Sequence, residues 1–342
     1  MGLIGSTVHV PLVSVIIPVY DIEAYVGDAI CSVIRQTLSD WELICIDDGS
    51  HDGSLEICRE FATADARITV VEQEHAGLGA ARNHGVLLAR GRYVYFLDGD
   101  DMIEPGALEL CTRVAEENGS DLVLFGARVL VEDGSPHNER FYIRSREYPG
   151  VWSGADLYVA QRRAGDYRSQ ACLYLTRRDL LLGCKGSGSG AVDGTDAAQV
   201  NAMDTACVFA GIFPLGVIHE DESGTFLLLM RAQRVVCLPD LLYLRRYRPG
   251  SIMTQRNWRA STEGYFRAYA TAYDCRLKDD AADSLRAQAY RLHLDSQASN
   301  CIASFNRTEE SIDRFSSVCG ARVEDSAALA SLLVRKDFVR ES

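Results

Sequence analysis

The first hundred residues alternate apolar, β-branched runs with amphipathic stretches, and this alternation restricts the chain to few folds. Four runs are typical of buried strands: VSVIIPVY (13–20), WELICIDDGS (41–50), RITVVEQ (67–73) and RYVYFLDGDD (92–101). The segments between them have helical periodicity. Such alternation predicts a mostly parallel central sheet flanked by helices. In sheets of this kind, ligands bind beyond the carboxyl ends of the strands.

The end of the fourth run is the most unusual feature of the sequence. Asp98, Asp100 and Asp101 follow the unbroken apolar and aromatic stretch 93–97. Carboxylates this close repel one another unless a positive group lies among them. A hard divalent cation with oxygen ligands meets that need, so Asp98 and Asp100 are candidate ligands of Mn²⁺ or Mg²⁺. Asp101 is expected to cap the helix that starts near Pro105.

Composition narrows the class of protein. The chain has 342 residues and a net charge of −13, which argues against a nucleic-acid binder because such proteins need a basic face. Its 11 cysteines are odd in number and lack a CxxC pair, so we expect buried free thiols in a cytoplasmic protein. No apolar run approaches the roughly 20 residues that span a bilayer, and the N-terminus does not resemble a signal peptide.

The pattern changes after residue 104. A helix over 105–118 and a strand over 121–131 are predicted, and the chain from about residue 258 looks helical. The glycine- and serine-rich stretch 183–206 is either an acceptor-side lid or a plain surface insertion. The basic segment RRYRPGS has two readings: Arg245, Arg246 or Arg248 meets phosphate, or charge keeps a solvated strand edge from pairing. We assign no partner to His75, His84 or Trp152.

Several of these blocks, in this order and spacing, resemble a known family. VSVIIPVYDIEAYVGDAICSVIRQTLSDWELICIDDGSHDGS, AGLGAARNHGVLLARGRYVYFLDGDD and FPLGVIHEDESGTFLLLMRAQRVVCLPDLLYLRRYRPGSIM are similar to bacterial inverting glycosyltransferases of family 2. The resemblance covers roughly residues 12–255 and implies a GT-A fold, Rossmann-like, with a helical C-terminal extension. The implied units are a transferase domain over 1–255, with a nucleotide-binding half (12–104) and an acceptor half (105–255), and a helical region over 256–342.

The resemblance also implies roles for individual residues. Pro18, Val19 and Tyr20 match the first strand end, which contacts the base and ribose, and Asp48 matches a uracil-binding position. Arg82 matches an arginine that approaches the nucleotide. Asp100 is the surest metal ligand of the DGD element, and Asp98 reaches the ribose or the metal. The HED block supplies the catalytic base, with Asp221 favoured over Glu220.

The reaction itself requires two separated sites. Inverting transfer is a single in-line displacement, in which an acceptor hydroxyl attacks the anomeric carbon opposite the departing nucleoside diphosphate. One carboxylate takes the proton, and one cation neutralises the departing phosphate. Asp221 lies more than a hundred residues after the DGD element, as expected for a base on the acceptor side. Taken alone, the acidic HEDE stretch also fits a solvated turn.

Three other functions fit the sequence less well. A nicotinamide enzyme is disfavoured because GLGAAR has Arg82 at the third glycine position of the dinucleotide fingerprint, so its glycines are expected to allow close helix packing. A non-catalytic nucleotide-sugar-binding scaffold is disfavoured because both acidic sets are intact. A retaining transferase is distinguished from an inverting one only by the family resemblance.

The resemblance finally implies partners and a location. The donor is expected to be a nucleoside-diphosphate sugar, UDP-linked, and the acceptor a saccharide or a polyprenyl-linked saccharide in bacterial surface polysaccharide synthesis. Without a predicted membrane span, we expect a cytoplasmic protein that can attach peripherally to the inner face of the plasma membrane.

Overall fold

A computed structural model describes residues 9–131, 141–182, 211–247, 257–276, 284–308, 310, 314–321 and 326–333. The 183–206 stretch and Arg248 lie outside these residues. Apolar runs with β-branched residues form the strands, as their pattern predicts. The strands are β1 (Val13–Val19), β2 (Trp41–Asp47), β3 (Ile68–Glu72), β4 (Tyr93–Phe96), β5 (Met102–Ile103), β6 (Leu122–Val131), β7 (Val151–Trp152), β8 (Tyr174–Arg177) and β9 (Val235–Tyr247).

Among the described residues, seven α-helices lie between strands along the chain, and four follow the last strand. They are α1 (Val26–Ile34), α2 (Ser54–Ala64), α3 (Leu78–Leu88), α4 (Ala107–Asn118), α5 (Gly154–Ala164), α6 (Arg178–Leu182), α7 (Glu220–Arg231), α8 (Trp258–Cys275), α9 (Leu285–Asn306), α10 (Phe315–Val318) and α11 (Ser326–Leu333). Every helix within the described ranges is too short or too polar to cross a bilayer.

The sheet is parallel in its first half and mixed in its second. Its strand order is β3-β2-β1-β4-β8-β6-β9-β5, and β7 pairs with β9. The β1, β2, β3 and β4 strands pair in parallel, so their carboxyl ends share one edge. The β8 strand enters antiparallel between β4 and β6, and β5 runs antiparallel to β9. The predicted α/β class is therefore confirmed, with a less uniformly parallel sheet than the alternation alone indicates.

Two apolar clusters hold the molecule together. The larger one surrounds the sheet and includes the fully buried β1 residues. The smaller one lies among the C-terminal helices and is built around Phe266, Tyr269, Cys301, Phe305 and Phe315. The helical C-terminal extension is thus confirmed, whereas the proposed domain boundaries remain predictions.

The cysteines follow the expectation from their sequence context. Those within the described ranges are free thiols, and all but Cys31 and Cys275 are buried. They pack as small apolar side chains.

Candidate functional site

The DGD element is pressed against the end of β1. A Cβ atom on Gly99 would lie 2.3 Å from Ile22 Cδ1 and 2.9 Å from the Pro18 carbonyl oxygen, so only glycine fits here. The close approach brings Asp98 and Asp100 beside the predicted nucleotide-binding strand end. Parallel strands and one glycine therefore suffice to build this corner of the site.

Two arginine side chains form ion pairs with Asp98, where the sequence predicts a metal ion. Arg82 Nη2 donates to Asp98 Oδ1 at 2.8 Å, and Arg245 Nη1 donates to Oδ2 at 2.9 Å. Burial disfavours the charged form, but Arg82 and Arg245 hold the pKa of Asp98 below its usual value. Asp98 is therefore a carboxylate held between two guanidinium groups.

Arg82 is the centre of a buried ionic cluster. Its side chain is only 1% exposed, and besides Asp98 it donates from Nη1 to Glu220 Oε1 and Asp221 Oδ1, both at 2.7 Å. Burial disfavours its charge, but the three carboxylates more than offset this and raise the pKa of Arg82. We call Arg82, Asp98, Glu220 and Asp221 the Arg82 cluster.

The Arg82 cluster joins segments that are far apart in sequence because α3 is docked onto the chain before α7. A Cβ atom on Gly79 would lie 2.4 Å from the Pro214 carbonyl oxygen. Asn83 Nδ2 donates to the Phe213 carbonyl oxygen at 2.8 Å, and Asn83 Oδ1 accepts from Phe213 N at 3.2 Å. Close packing at Gly79 thus places Arg82 against the first turn of α7, whereas a Cβ atom on Gly77 would have no neighbour within 4 Å.

Asp221 and Glu220 differ in accessibility. Both lie in the first turn of α7, but the Asp221 side chain is 19% exposed and that of Glu220 only 6%. Burial raises the pKa of Asp221 to about 8; Arg82 opposes this, while Glu220 and Asp98 add to it. Burial also raises the pKa of Glu220, with Arg82 opposing. Asp221 is the better placed of the two to exchange a proton with a substrate.

Asp101 does not cap a helix, so that prediction was wrong. The N-cap of α4 is Gly106, without a side-chain hydrogen bond. Asp101 is buried and accepts from Tyr243 Oη at 2.5 Å, Arg245 Nη1 at 2.8 Å and Arg246 N at 2.7 Å. Burial raises the pKa of Asp101 to about 7, against the effect of Arg245. Asp101 instead ties the DGD element to β9.

The donor set at the DGD element fits a cation only in part. Within the described ranges, no group of three or more His, Cys, Asp or Glu side chains could enclose a metal ion. Both oxygens of Asp98 already accept from arginines, whereas Asp100 is half-buried beside them. Mg²⁺ commonly takes one or two carboxylates and completes its shell with phosphate and water. The carboxylate of Asp100 has the chemistry for such a site, and ligation by Asp100 and by Asp98 both remain predictions.

Asp48 is enclosed by the loop after β3. Gln73 Nε2 and Ala76 N donate to Oδ1 at 2.7 and 2.9 Å, Gly77 N donates to Oδ2 at 2.9 Å, and His75 Nδ1 lies 2.9 Å from Oδ2. Three of these contacts are hydrogen bonds to the carboxylate, whereas the hydrogen bond of His75 Nδ1 is with the Asp48 backbone carbonyl oxygen, at 3.1 Å. A carboxylate has about four acceptor sites, so at most one is left for a ligand, and the expected uracil contact remains a prediction.

The end of β1 presents one side chain to solvent. Pro18 and Val19 are buried, but the Tyr20 ring is 40% exposed and stacks on His75, with 4.3 Å between ring centroids. Sequence reasoning assigned His75 no partner. His75 lies three residues after the end of β3, in the loop that faces Asp48. Its place near a strand end is the sequence signal for it.

The two described arginines of the basic segment lie at the end of β9 and belong to the site. Arg245 contacts Asp98 and Asp101, and Arg246 Nη2 donates to Asp28 Oδ2 at 2.8 Å. A solvated strand edge does not describe these two residues. Contact with a substrate phosphate remains a prediction for both.

Comparison with known proteins agrees with this geometry. The family model described as glycosyl transferase family 2 matches residues 14–167. The glycosyltransferase GlyG of Streptococcus pneumoniae is 28% identical over 243 residues, covering 71% of this chain and 73% of GlyG. The uncharacterized glycosyltransferase EpsJ of Bacillus subtilis is 46% identical over 114 residues, covering 33% of each chain. The match to EpsJ thus spans about a third of its length.

A solved structure matches the fold more completely. S. aureus TarS 1–349 in complex with UDP-GlcNAc has a TM-score of 0.59 at 20% identity, covering 94% of this chain and 79% of that chain. This likeness establishes a shared GT-A architecture that includes the C-terminal helices. Residues 14–167 therefore match the glycosyl transferase family 2 domain, and the similarity to the glycosyltransferase GlyG extends over 71% of the chain.

Proposed function

We propose that the protein is a metal-dependent inverting glycosyltransferase that uses a nucleoside-diphosphate sugar. The observation that carries this proposal is the Arg82 cluster. One buried guanidinium joins Asp98, at the predicted donor corner, to Asp221, the predicted base, with contacts of 2.8 and 2.7 Å. A displacement reaction needs these two groups in fixed relation, because the nucleophile and the leaving group occupy opposite sides of one carbon.

Asp221 takes the proton from the acceptor hydroxyl as the hydroxyl attacks. Its raised pKa makes the carboxylate a stronger base than an ordinary aspartate, and its partial exposure lets a hydroxyl reach it. Glu220 is more deeply buried and keeps Arg82 in place. Arg82 acts as a positioning residue: its two Nη groups hold three carboxylates and leave none of them free to rotate.

Asp100 would hold a Mn²⁺ or Mg²⁺ ion, which would neutralise charge that develops on the departing diphosphate. Tyr20, at the end of β1, contacts the nucleotide base or ribose, with Pro18 and Val19 shaping the backbone beneath it. Asp48 fixes the loop 73–77, whose His75 ring stacks on Tyr20. The Mn²⁺ or Mg²⁺ dependence and these nucleotide contacts follow from the family resemblance and the chemistry of the side chains.

The comparisons favour UDP as the nucleotide, because TarS was solved with UDP-GlcNAc. The names of the relatives point to bacterial polysaccharide synthesis, including one named as a putative teichuronic acid biosynthesis glycosyltransferase. The acceptor is a saccharide or a polyprenyl-linked saccharide, met from the cytoplasm at the inner face of the membrane. Residues 1–255 form the transferase unit, in donor and acceptor halves divided near residue 104, and residues 256–342 form the helical extension.

The proposal is tested by a thermal-shift panel of UDP, GDP, CDP and their sugars, each with and without Mn²⁺. A ligand that binds the native state raises the unfolding temperature. We expect one nucleotide sugar to stabilise the protein, and EDTA to reduce the shift. Product formation is then followed by NMR, which reads the anomeric configuration. Absence of any nucleotide-dependent shift would refute the proposal, and binding without turnover would favour a scaffold.

A further inference from the structure

The first turn of α7 contains three consecutive acids, and the roles proposed above use only two of them. Glu220 and Asp221 contact Arg82. The third acid, Glu222, is half-buried, and its backbone N–H donates to the His219 carbonyl oxygen at 3.0 Å. Successive residues of an α-helix point about 100° apart around its axis, so Glu222 points to a different side of α7 from Glu220.

Two side chains hold Glu222 on that side. Ser169 Oγ donates to Oε1 at 2.9 Å, and Gln297 Nε2 donates to Oε2 at 2.7 Å. Ser169 and Gln297 are both buried, with exposed fractions of 7% and 0%. Hydrogen bonds to a charged group are stronger than those between neutral groups. Both oxygen atoms of the Glu222 carboxylate are therefore fixed.

Gln297 reaches Glu222 from α9, in the C-terminal extension. Its Nε2 donates to the carboxylate, whereas its Oε1 is buried without a hydrogen-bond partner among the described residues. An unpaired buried polar atom costs free energy, so the charged hydrogen bond to Glu222 is the contact that orients this amide. Ser169, Glu222 and Gln297 all lie beyond residues 14–167, so the match to the family model includes none of them.

A nearby cation offsets the charge of Glu222. Burial lowers the pKa of Arg162 on α5, but Tyr158, Tyr167 and Glu222 raise it. Arg162 Nε donates to Tyr158 Oη at 3.0 Å. The carboxylate of Glu222 thus has a positive charge near it, while its hydrogen bonds come from neutral groups.

The backbone on both sides of the acids is also held. Thr225 Oγ1 donates to the Asp221 carbonyl oxygen at 2.7 Å and lies 3.0 Å from Tyr167 Oη. A Cβ atom on Gly264 of α8 would lie 2.0 Å from the Ile218 carbonyl oxygen, just before the turn. These contacts leave the turn little room to shift along or away from α8.

We propose that Glu222 is a positioning residue that fixes the rotation of α7 about its axis. Ser169 and Gln297 hold it on one side of the helix, and Arg82 holds its two neighbours on the other side. The role in catalysis rests on the proposed function, whereas the restraint on α7 does not. A misplacement of about 1 Å can cost roughly 100-fold in rate when reacting groups must align. The C-terminal extension thereby takes part in placing the proposed base.

The first test measures the restraint and needs no substrate. In ¹⁵N-arginine-labelled full-length protein, the side-chain N–H signals of Arg82 are assigned by their loss in Arg82→Lys, and their hydrogen exchange is followed at pH 7. Gln297→Glu places two carboxylates face to face, so we expect exchange at Arg82 at least about tenfold faster than in the wild type. Gln288→Glu is the matched control, because it adds the same charge to α9 beside Arg163 and should leave the exchange unchanged.

A double variant distinguishes a lost contact from general damage. In Glu222→Gln combined with Gln297→Glu, the amide and the carboxylate exchange places and the hydrogen bond between them forms again. We expect exchange at Arg82 to return to within about threefold of the wild type. Ser169→Ala removes one of the two hydrogen bonds and is the milder variant should Gln297→Glu not fold, with exchange about fivefold faster expected.

Three results would overturn the inference. They are equal exchange at Arg82 in the wild type and Gln297→Glu, failure of the double variant to restore slow exchange, and unchanged exchange in Ser169→Ala.

A kinetic test then separates positioning from stability. Release of UDP from UDP-GlcNAc in the presence of Mn²⁺ gives kcat and the donor KM, and urea unfolding gives the stability of each variant. Gln297→Glu should lower kcat at least about tenfold with the donor KM unchanged, because Glu222 does not contact the donor corner. A lowered urea midpoint with an unchanged kcat would show a structural role only and would overturn the inference.

The two tests keep the two proposals apart. If exchange at Arg82 responds to Gln297→Glu, but the wild type neither binds nor cleaves UDP-GlcNAc or the other nucleotide sugars, the proposed function fails and the restraint on α7 stands. If the wild type is active and exchange at Arg82 is the same in all variants, the restraint alone is refuted.

Discussion

Two acidic regions at the same edge of the sheet are neutralised in different ways. The carboxylate of Asp48, after β2, accepts from the backbone N–H groups of Ala76 and Gly77 and from the side chain of Gln73, all in the loop 73–77. The Arg82 cluster instead places three carboxylates around one buried guanidinium. Asp48 thus organises a backbone, whereas the Arg82 cluster balances charge against charge.

The two regions therefore differ in role: Asp48 holds the shape of a loop, whereas the Arg82 cluster sets proton affinities. Hydrogen bonds from the loop to the Asp48 carboxylate fix the loop's geometry. In the Arg82 cluster, one cation serves several acids, so the proton affinity of each acid depends on the others. Burial, with Glu220 and Asp98, raises the pKa of Asp221 against the effect of Arg82, whereas Arg82 and Arg245 together lower the pKa of Asp98 against the effect of burial.

The largest effect is expected from Arg82→Met. It leaves Glu220 and Asp221 without their cation and Asp98 with Arg245 alone, and loss of one partner of a buried ion pair costs about 3–5 kcal/mol. We expect a strongly lowered urea midpoint and no measurable transfer. Arg59→Gln is the control: Arg59 is half-exposed and pairs with Glu72, so its loss should cost less than about 1 kcal/mol. Equal effects of the two substitutions would show that the Arg82 cluster is not a unit.

Asp221→Asn should reduce transfer strongly and leave donor binding intact. The amide keeps the shape of the side chain but cannot accept the proton, and general-base catalysis is worth about 100- to 10,000-fold. Single-turnover rates and nucleotide titrations measure the two effects separately. Glu117→Gln, at an exposed position of α4, should retain full activity. Near-normal turnover in Asp221→Asn would shift the role of base to Glu220.

The pH dependence of the wild type should reveal the same group. A base must be deprotonated to act, so kcat/KM should rise with pH and level off above the pKa of Asp221, which is raised to about 8. Well below that pH, the rate should fall about tenfold per unit. The rising limb should disappear in Asp221→Asn. A limb centred below pH 5 would be inconsistent with Asp221 as the base.

The smallest effect is expected from Asp48→Asn. An amide group turns one acceptor into a donor that faces the N–H groups of the loop, which costs about 1–3 kcal/mol locally. Faster amide hydrogen exchange at Ala76 and Gly77 should follow, with the Arg82 cluster unaffected. Unchanged exchange at both amides would mean that Asp48 does not hold the loop.

The sequence predicts the strand ends well because apolar runs and their acidic termini are local patterns. Asp48, Asp98 and Tyr20 lie at strand ends, as the alternation indicates. Gly79 also packs closely against residue 214, as expected for a glycine at the start of α3.

Long-range partners could not be predicted. Arg82 and Glu220 are 138 residues apart, and only the docking of α3 on residues 211–214 brings them together. Asp101 looked like a helix cap because its partners, Tyr243 and Arg245, come from a strand that is far away in sequence. The antiparallel entry of β8 between β4 and β6 likewise depends on pairing between segments that are far apart in sequence.

The turn before α7 has a consequence for any attempt to exchange domains between relatives. His219 adopts a left-handed backbone with φ of 64°, its ring stacks on Tyr265 of α8 at 4.3 Å, and Nε2 lies 3.2 Å from Ser261 Oγ. A non-glycine residue holds such a conformation only when its neighbours enforce it. The proposed base is thus braced by a helix beyond the shared family domain. In a chimera, the segment with the proton acceptor and the C-terminal helices should therefore come from the same parent protein.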